Sequence, residues 1–144
     1  MVTYADTSFL FSLYGHDANS PQARPMGDAL TAPLAFTPLH SHELRNAFRL
    51  AVFRKVMTVE RCQGVIAAIE ADTKTGALVE TPVAWAEVFA EAEALSAAHT
   101  EALGTRGFDV LHVAAAAALG AKDFYTFDAR QKALAMKAGM KVKP

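Results

Sequence analysis

The sequence predicts a single-domain α/β/α sandwich around a mostly parallel sheet of about five strands. Short apolar runs alternate along the chain with longer stretches of helical periodicity, the order expected of parallel strands joined by crossover helices. A length of 144 residues is typical of one domain. A hydrophobic content of 52% with 20% charged residues allows a sizeable core and argues against disorder. We therefore expect one domain over residues 1–144.

The first half of the chain predicts two strands and four helices. Pro38 opens the longest of these helices, and Thr58 is the cap of the next. In order, the pattern predicts a strand at 2–5, a helix at 7–14, a turn-rich loop at 15–25, a short helix at 26–31, a strand at 34–37, a helix at 39–54 and a helix from 58 to about 72.

The second half predicts three strands and three helices. The apolar helix that precedes Gly120 is expected to be buried, and Asp128 is expected to cap the helix that Gly139 closes. In order, the pattern predicts a strand at 78–80, a helix at 83–99, a helix at 108–119, a strand at 124–127, a helix after 128 and an edge strand at 140–142.

The charges are unevenly distributed, although the formal net charge is only −1. Residues 45–61 and the chain from residue 122 onward are predominantly basic, whereas residues 70–101 are predominantly acidic. This pattern favours a polyanion bound on one side of the protein. Solvated helix faces would produce the same pattern, so the charges do not decide between the two interpretations.

Several features indicate a cytoplasmic protein without a membrane segment. Cys62 is the only cysteine, which excludes an intrachain disulfide and suits a reducing compartment. The N-terminal segment has an acid at position 6 and no basic start, unlike a signal peptide. The longest apolar stretch, residues 110–119, is too short to cross a bilayer.

Four carboxylates are candidates for one site. Asp6 and Asp128 directly follow predicted strands, while Glu43 and Asp109 lie near the starts of predicted helices. In an open parallel sheet the ligand crevice lies beyond the carboxyl ends of the strands. Four acids gathered there require a counter-charge because like charges repel. Oxygen ligands suit Mg²⁺ or Mn²⁺, so the sequence predicts a metal-dependent phosphoryl-transfer site.

Each acid also has a purely structural interpretation. Asp6 and Asp128 could serve solely as caps of the helices that follow them. Asp109 could serve solely to interact with the partial positive charge at the start of its helix. Burial of Asp109 in an apolar helix argues for a partner, and Arg106 is the nearest candidate. Thr126 lies two residues before Asp128, so both side chains point the same way on an extended segment.

Taken together, the motifs YADTSFL, ELRNAF, RGFDVLHVAAA and FYTFDAR resemble those of the PIN-domain ribonucleases, in particular the VapC-type toxins. They occur in the order found in that family and span nearly the whole chain. The resemblance implies that Asp6, Glu43, Asp109 and Asp128 are the catalytic, metal-binding acids, at the mouth of a five-stranded parallel sheet. It also implies that Thr126 assists them.

The resemblance implies further expectations. Ser8 should lie beside the site without acting as a nucleophile. Independently of the resemblance, the spacing of Arg45, Arg49 and Arg54 along the long helix makes them a candidate RNA-binding stripe. One or two Mg²⁺ or Mn²⁺ ions are the expected cofactors. The expected partners are an RNA substrate, a cognate antitoxin and a second copy of the chain.

The histidines are less informative than the acids. His112 shares a helical face with Asp109, but core packing is the simpler interpretation. His40 and His42 are expected to be exposed at the start of their helix.

The predicted function is therefore that of a metal-dependent endoribonuclease, a toxin that leaves 3′-hydroxyl and 5′-phosphate ends. One alternative is a phosphatase with an aspartyl nucleophile. That class requires a second acid two residues after Asp6, and Ser8 occupies that position. The other is a non-catalytic PIN-like module with an RNA-binding or regulatory role. An intact set of acids argues against this second alternative.

Overall fold

A computed structural model describes residues 2–144. It contains five strands: β1 (Thr3–Ala5), β2 (Leu34–Phe36), β3 (Leu78–Glu80), β4 (Asp123–Tyr125) and β5 (Lys141–Lys143). Its seven helices are α1 (Thr7–Tyr14), α2 (Ser20–Asp28), α3 (Pro38–Phe53), α4 (Val59–Thr75), α5 (Trp85–Leu103), α6 (Gly107–Ala118) and α7 (Ala129–Lys137).

The five strands form one sheet in the order β3-β2-β1-β4-β5. The pairs β1–β4, β4–β5 and β2–β3 are all parallel. Ala5 at the end of β1 lies opposite Tyr125 at the end of β4, so the residues that follow both strands emerge at the same edge. The predicted α/β class with a parallel five-stranded sheet is confirmed.

The chain forms two compact units. One comprises Pro82–Pro144 together with the chain up to Asp6, and the other comprises Thr7–Thr81.

The core of the first unit is built from β1, β4 and the buried face of α6. The rings of Tyr4 and Phe124 stack at 5.5 Å between centroids. Ala114, Ala115 and Ala116 are fully buried, and their small side chains let α6 pack closely against its neighbours. The run of alanines in α6 therefore serves close packing within the core.

In the second unit, aromatic and aliphatic side chains of α1, α3 and α4 form the core. Phe11 and Phe48 stack at 4.5 Å, and Ile69 is fully buried. Thr58 caps α4 as predicted, since its hydroxyl accepts the backbone N–H of Arg61 at 3.2 Å.

The predicted loop at 15–25 is wrong in part, because α2 begins at Ser20. Pro21 stands in the first turn, where its missing N–H costs nothing. The Ser20 hydroxyl is buried; it donates to the Ser12 carbonyl at 2.7 Å and accepts the Asp17 N–H at 2.9 Å. These contacts anchor the start of the helix despite a composition typical of turns.

The expected exposure of His40 is also wrong, although His42 is exposed. The Thr37 backbone N–H donates to His40 Nδ1 at 2.9 Å, and the His40 N–H points back to Thr37 Oγ1 at 3.4 Å. This reciprocal cap buries the imidazole completely and fixes the start of α3. Within residues 2–144 no helix is long and apolar enough to cross a membrane.

Candidate active site

Asp6 and Asp128 leave the sheet side by side, one after β1 and the other after β4. The Asp6 backbone N–H donates to the Tyr125 carbonyl at 2.9 Å, which continues the parallel ladder beyond both strands. Asp6 is fully buried, whereas the side chain of Asp128 is 27% exposed. The two acids thus lie at the carboxyl edge of the sheet, as predicted.

Thr126 links these two acids. Its hydroxyl donates to Asp6 Oδ2 at 2.5 Å and accepts the backbone N–H of Asp128 at 2.9 Å. Because the N–H of Asp128 occupies an acceptor position on the hydroxyl oxygen, the hydroxyl hydrogen is directed toward Asp6. Thr126 is buried, so this orientation is shielded from water.

Asp128 also caps α7, as expected from the sequence. Its Oδ1 accepts the backbone N–H of Gln131 at 2.8 Å, and its other carboxylate oxygen, Oδ2, takes no part in the cap. Capping and a role at the site are therefore compatible, because they use different oxygens.

Asp109 lies in the first turn of α6, and its two oxygens have different partners. Gln131 Nε2 donates to Oδ1 at 3.3 Å, and Arg106 Nε donates to Oδ2 at 3.4 Å. The predicted pairing of Arg106 with Asp109 is confirmed. The same guanidinium reaches Asp128, with Nη2 3.9 Å from Oδ2.

Three of the four predicted acids are thereby joined in one network that lies entirely in the first unit. Thr126 connects Asp6 with Asp128, while Arg106 and Gln131 connect Asp128 with Asp109.

The pKa of Asp109 is raised above its ordinary value of 3.8. Burial is the largest cause, and the neighbouring charge of Asp128 adds to it. Arg106 and, to a lesser degree, His112 oppose the shift without cancelling it. The Asp109–Asp128 pair is therefore incompletely neutralised by the protein itself.

Glu43 and Ser8 belong to the second unit. Glu43 lies in the second turn of α3 and Ser8 in the first turn of α1, and both side chains are half-buried. Their membership of the site stays a prediction.

The candidate RNA-binding residues lie along α3 and just beyond it. Arg49 and Arg54 are exposed, whereas Arg45 is half-buried and donates to the Ser41 hydroxyl.

Gln131 is a member of the network that the sequence interpretation missed. The signal was present, because a glutamine three residues after an N-cap acid is the pattern of a capping box. In the structure its backbone completes the cap, while its side chain turns toward Asp109. Its Oε1 is the one buried side-chain oxygen or nitrogen without a hydrogen-bond partner in the part of the chain that the structure describes.

His112 is buried in the core, as predicted. Its Nδ1 is hydrogen-bonded to the Tyr4 hydroxyl at 2.8 Å, and the two rings meet edge to face. This contact ties α6 to β1, and so helps to hold Asp109 near the edge where β1 ends.

The donor set has the chemistry of a site for a hard divalent cation, since carboxylate and hydroxyl oxygens are the ligands that Mg²⁺ and Mn²⁺ prefer. Asp109 and Asp128, which both contact the Arg106 guanidinium, fit this role best. Among residues 2–144, however, no three acidic, histidine or cysteine side chains are arranged as a metal-binding group.

One solved structure combines this architecture with a known activity. VapC20 of Mycobacterium tuberculosis, described as a sarcin-ricin loop cleaving toxin, superposes with a TM-score of 0.69 at 20% sequence identity. The alignment covers 91% of this chain and 93% of VapC20. The chain has the fold of a VapC toxin. The predicted resemblance to VapC-type PIN domains is thus confirmed at the level of the fold.

Comparisons by sequence add nothing to the structural likeness. No family model matches the chain, and no curated protein matches it.

Proposed function

We propose that the protein is a divalent-metal-dependent endoribonuclease and the toxin of a toxin–antitoxin pair. The observation that carries this proposal is the network uniting Asp6, Asp109 and Asp128 at the edge where β1 and β4 end. The likeness of the fold to VapC20 supports it. In the proposal, residues 1–144 act as one nuclease domain.

In this proposal Asp6, Glu43, Asp109 and Asp128 hold one or two Mg²⁺ or Mn²⁺ ions. When bound, such ions lower the pKa of water and stabilise negative charge on phosphodiester oxygens. The residues of the chain itself position the ligands. Thr126 keeps the Asp6 carboxylate in one orientation. Ser8 is proposed as a further hydroxyl that assists the acids.

Asp109 is placed from two directions. Gln131 holds it from the buried side of α7, and Arg106 approaches from solvent. Burial and the charge of Asp128 raise its pKa, and a cation bound beside it would favour the ionised form.

An RNA with single-stranded or looped segments is the proposed substrate class. The acids act on the phosphodiester and read no base edges, so sequence selection must come from the surrounding loops and basic residues. Arg45, Arg49 and Arg54 are the proposed phosphate contacts. VapC20 is described as cleaving the sarcin-ricin loop, which makes ribosomal RNA a suitable first substrate.

We further propose an antitoxin and a second copy of the chain as partners, and the cytoplasm as the compartment. The single cysteine, Cys62, is unpaired and buried, which is consistent with reducing conditions.

A second function, a non-catalytic RNA-binding or regulatory module, is favoured by two observations. The acids within residues 2–144 do not form a ready metal-binding group, and Arg106 partly neutralises two of them. The following assay separates the two functions.

Purified protein is incubated with total RNA in Mg²⁺, in Mn²⁺ or in EDTA, and the new 5′ ends are sequenced. We expect cleavage only with a divalent ion, leaving 5′-phosphates, and its loss in Asp6→Asn and Asp109→Asn. Asp123→Asn is the matched control, because this acid begins β4 and pairs with Lys143 at 3.7 Å. RNA left intact by the wild-type protein, or cleaved at full rate by either site variant, would contradict the proposal.

Thermal stability provides a test that does not require the correct RNA. A divalent ion at 100 times its dissociation constant should stabilise the folded protein by about 2.7 kcal/mol. EDTA-treated protein whose melting temperature is unchanged by Mn²⁺ would argue for the non-catalytic module.

A further inference from the structure

The side chain of Arg106 contacts two carboxylates of the site and does not cap the helix that follows it. Arg106 occupies the N-cap position of α6, but its side chain makes no capping hydrogen bond, and the backbone carbonyl alone receives the first helical N–H. The side chain is 75% exposed. Within residues 2–144, this side chain contacts the carboxylates of Asp109 and Asp128.

Both ion pairs of Arg106 are long, so breaking them should cost little free energy. Nε lies 3.4 Å from Asp109 Oδ2, and Nη2 lies 3.9 Å from Asp128 Oδ2. Ion pairs of an exposed arginine are weak because water competes for both partners. One positive charge also leaves a net charge of −1 on the two carboxylates, so a divalent ion would neutralise the pair more completely.

Asp109 would keep its position if Arg106 moved away. Gln131 Nε2 holds the opposite oxygen, Oδ1, from the buried side at 3.3 Å, and Gln131 itself is fixed by the Asp128 cap. Oδ2 of both acids, the oxygens that Arg106 contacts, are therefore the ones that a metal ion can take over without disturbing α6 or α7.

We propose that Arg106 is a tethered counter-cation: it neutralises the Asp109–Asp128 pair when no metal is bound and is displaced when a divalent ion binds. This inference rests on the proposed function, because it assumes that the two acids are metal ligands. It adds that metal binding competes with a residue of the chain itself.

The test compares Arg106→Gln with Arg130→Gln. Arg130 is a matched control, because it is an exposed arginine of the same unit whose Nη1 reaches only the Gly104 carbonyl, at 3.5 Å. Mn²⁺ affinity is measured by calorimetry in metal-stripped protein. Removing the competitor should tighten Mn²⁺ binding by roughly two- to tenfold, the range expected for losing exposed ion pairs. Arg130→Gln should bind like the wild type.

Arg106→Lys extends the comparison, because it retains a displaceable charge and should restore the weaker, wild-type affinity. In EDTA, Arg106→Gln should melt below the wild type, and it should gain more stability than the wild type when Mn²⁺ is added. Higher salt should reduce these differences, since exposed charges are screened.

Displacement itself is observed by NMR of protein with ¹⁵N-labelled arginine, in which the Nε–H signal of Arg106 is assigned by its loss in Arg106→Gln. Diamagnetic Mg²⁺ should shift this signal and leave that of Arg130 in place. An unchanged Arg106 signal at saturating Mg²⁺ overturns the inference.

The outcomes also separate this inference from the proposed function. Equal or weaker Mn²⁺ binding by Arg106→Gln, with Asp109→Asn unable to bind, rejects the counter-cation and leaves the metal site intact. Absence of Mn²⁺ binding in the wild type and in Arg106→Gln rejects both.

Discussion

The hydroxyl of Thr126 donates to Asp6 across two neighbouring strand ends, at 2.5 Å and out of contact with water. The same oxygen receives the N–H of Asp128. One side chain thus sets the orientation of one acid and the backbone of the next. This double contact makes Thr126 a positioning residue whose removal should affect the site more than the fold.

We expect Thr126→Val, which keeps the shape but removes the hydroxyl, to lower both Mn²⁺ affinity and cleavage. It should also destabilise the protein by about 1–3 kcal/mol, because the Asp128 N–H and the buried Asp6 carboxylate each lose a partner. Calorimetry and chemical denaturation measure the two effects. Thr105→Val is the control, since this buried threonine is hydrogen-bonded to Thr100 at 2.9 Å. Equal Mn²⁺ affinity in the two variants would exclude the positioning role.

The raised pKa of Asp109 predicts how the stability of the metal-free protein depends on pH. The folded protein retains a proton on this carboxyl at pH values where the unfolded chain has released it, above the ordinary value of 3.8. The free energy of unfolding therefore falls as pH rises through that window and becomes constant above the folded pKa.

Asp109→Asn should lack this contribution, so in EDTA its stability relative to the wild type should increase with pH. Melting temperatures of both proteins between pH 4 and 7 provide the measurement. A difference between them that is independent of pH would show that Asp109 ionises normally in the folded protein.

The second unit contains a hydrogen bond whose strength can be measured. The Tyr14 hydroxyl donates to Asp72 Oδ2 at 2.5 Å, linking α1 to the last turns of α4. Burial, followed by the hydrogen bond and charge of Asp72, raises the pKa of Tyr14. The tyrosine is therefore a neutral donor throughout the physiological range.

Tyr14→Phe, Asp72→Asn and the double variant form a cycle that isolates this contact. A hydrogen bond to a charged group contributes about 1.5–3 kcal/mol, so we expect a coupling energy in that range from urea denaturation. Additive losses in the double variant would mean that the two side chains contribute independently.

Arg49 and Arg54 should govern RNA affinity and leave the chemical step unchanged. Both are exposed and lie along α3 and at its end, away from any acid of the network in sequence. Replacing either with alanine should flatten the dependence of RNA affinity on salt by roughly one unit of slope per lost phosphate contact. Lys74→Ala, which removes an exposed charge from the acidic segment, is the control.

Single-turnover cleavage at saturating RNA should remain near the wild-type rate in these variants. Light scattering on the same samples tests the competing interpretation, in which the arginines support assembly. An unaltered salt slope together with a change in oligomeric state would assign them to a protein interface.

Local chemistry determined most of the secondary structure, which is why the sequence predicts it well. Helical periodicity and caps depend on neighbours within a few residues, so α1 and the capped start of α4 were predicted to the residue. The same reasoning failed at α2, where the contacts that anchor Ser20 come from the preceding loop and α1 and outweigh a turn-like composition.

For the site, the sequence supplied the candidate acids, Thr126 and the pairing of Arg106 with Asp109, because strand ends and helix starts can be located from the pattern. It could not indicate that Arg106 also reaches Asp128 or that Gln131 turns its amide to Asp109. Those contacts join α6 to α7, and they exist only because packing on the sheet brings the starts of the two helices together. Orientation and partial neutralisation of the acids are therefore properties that only the tertiary structure decided.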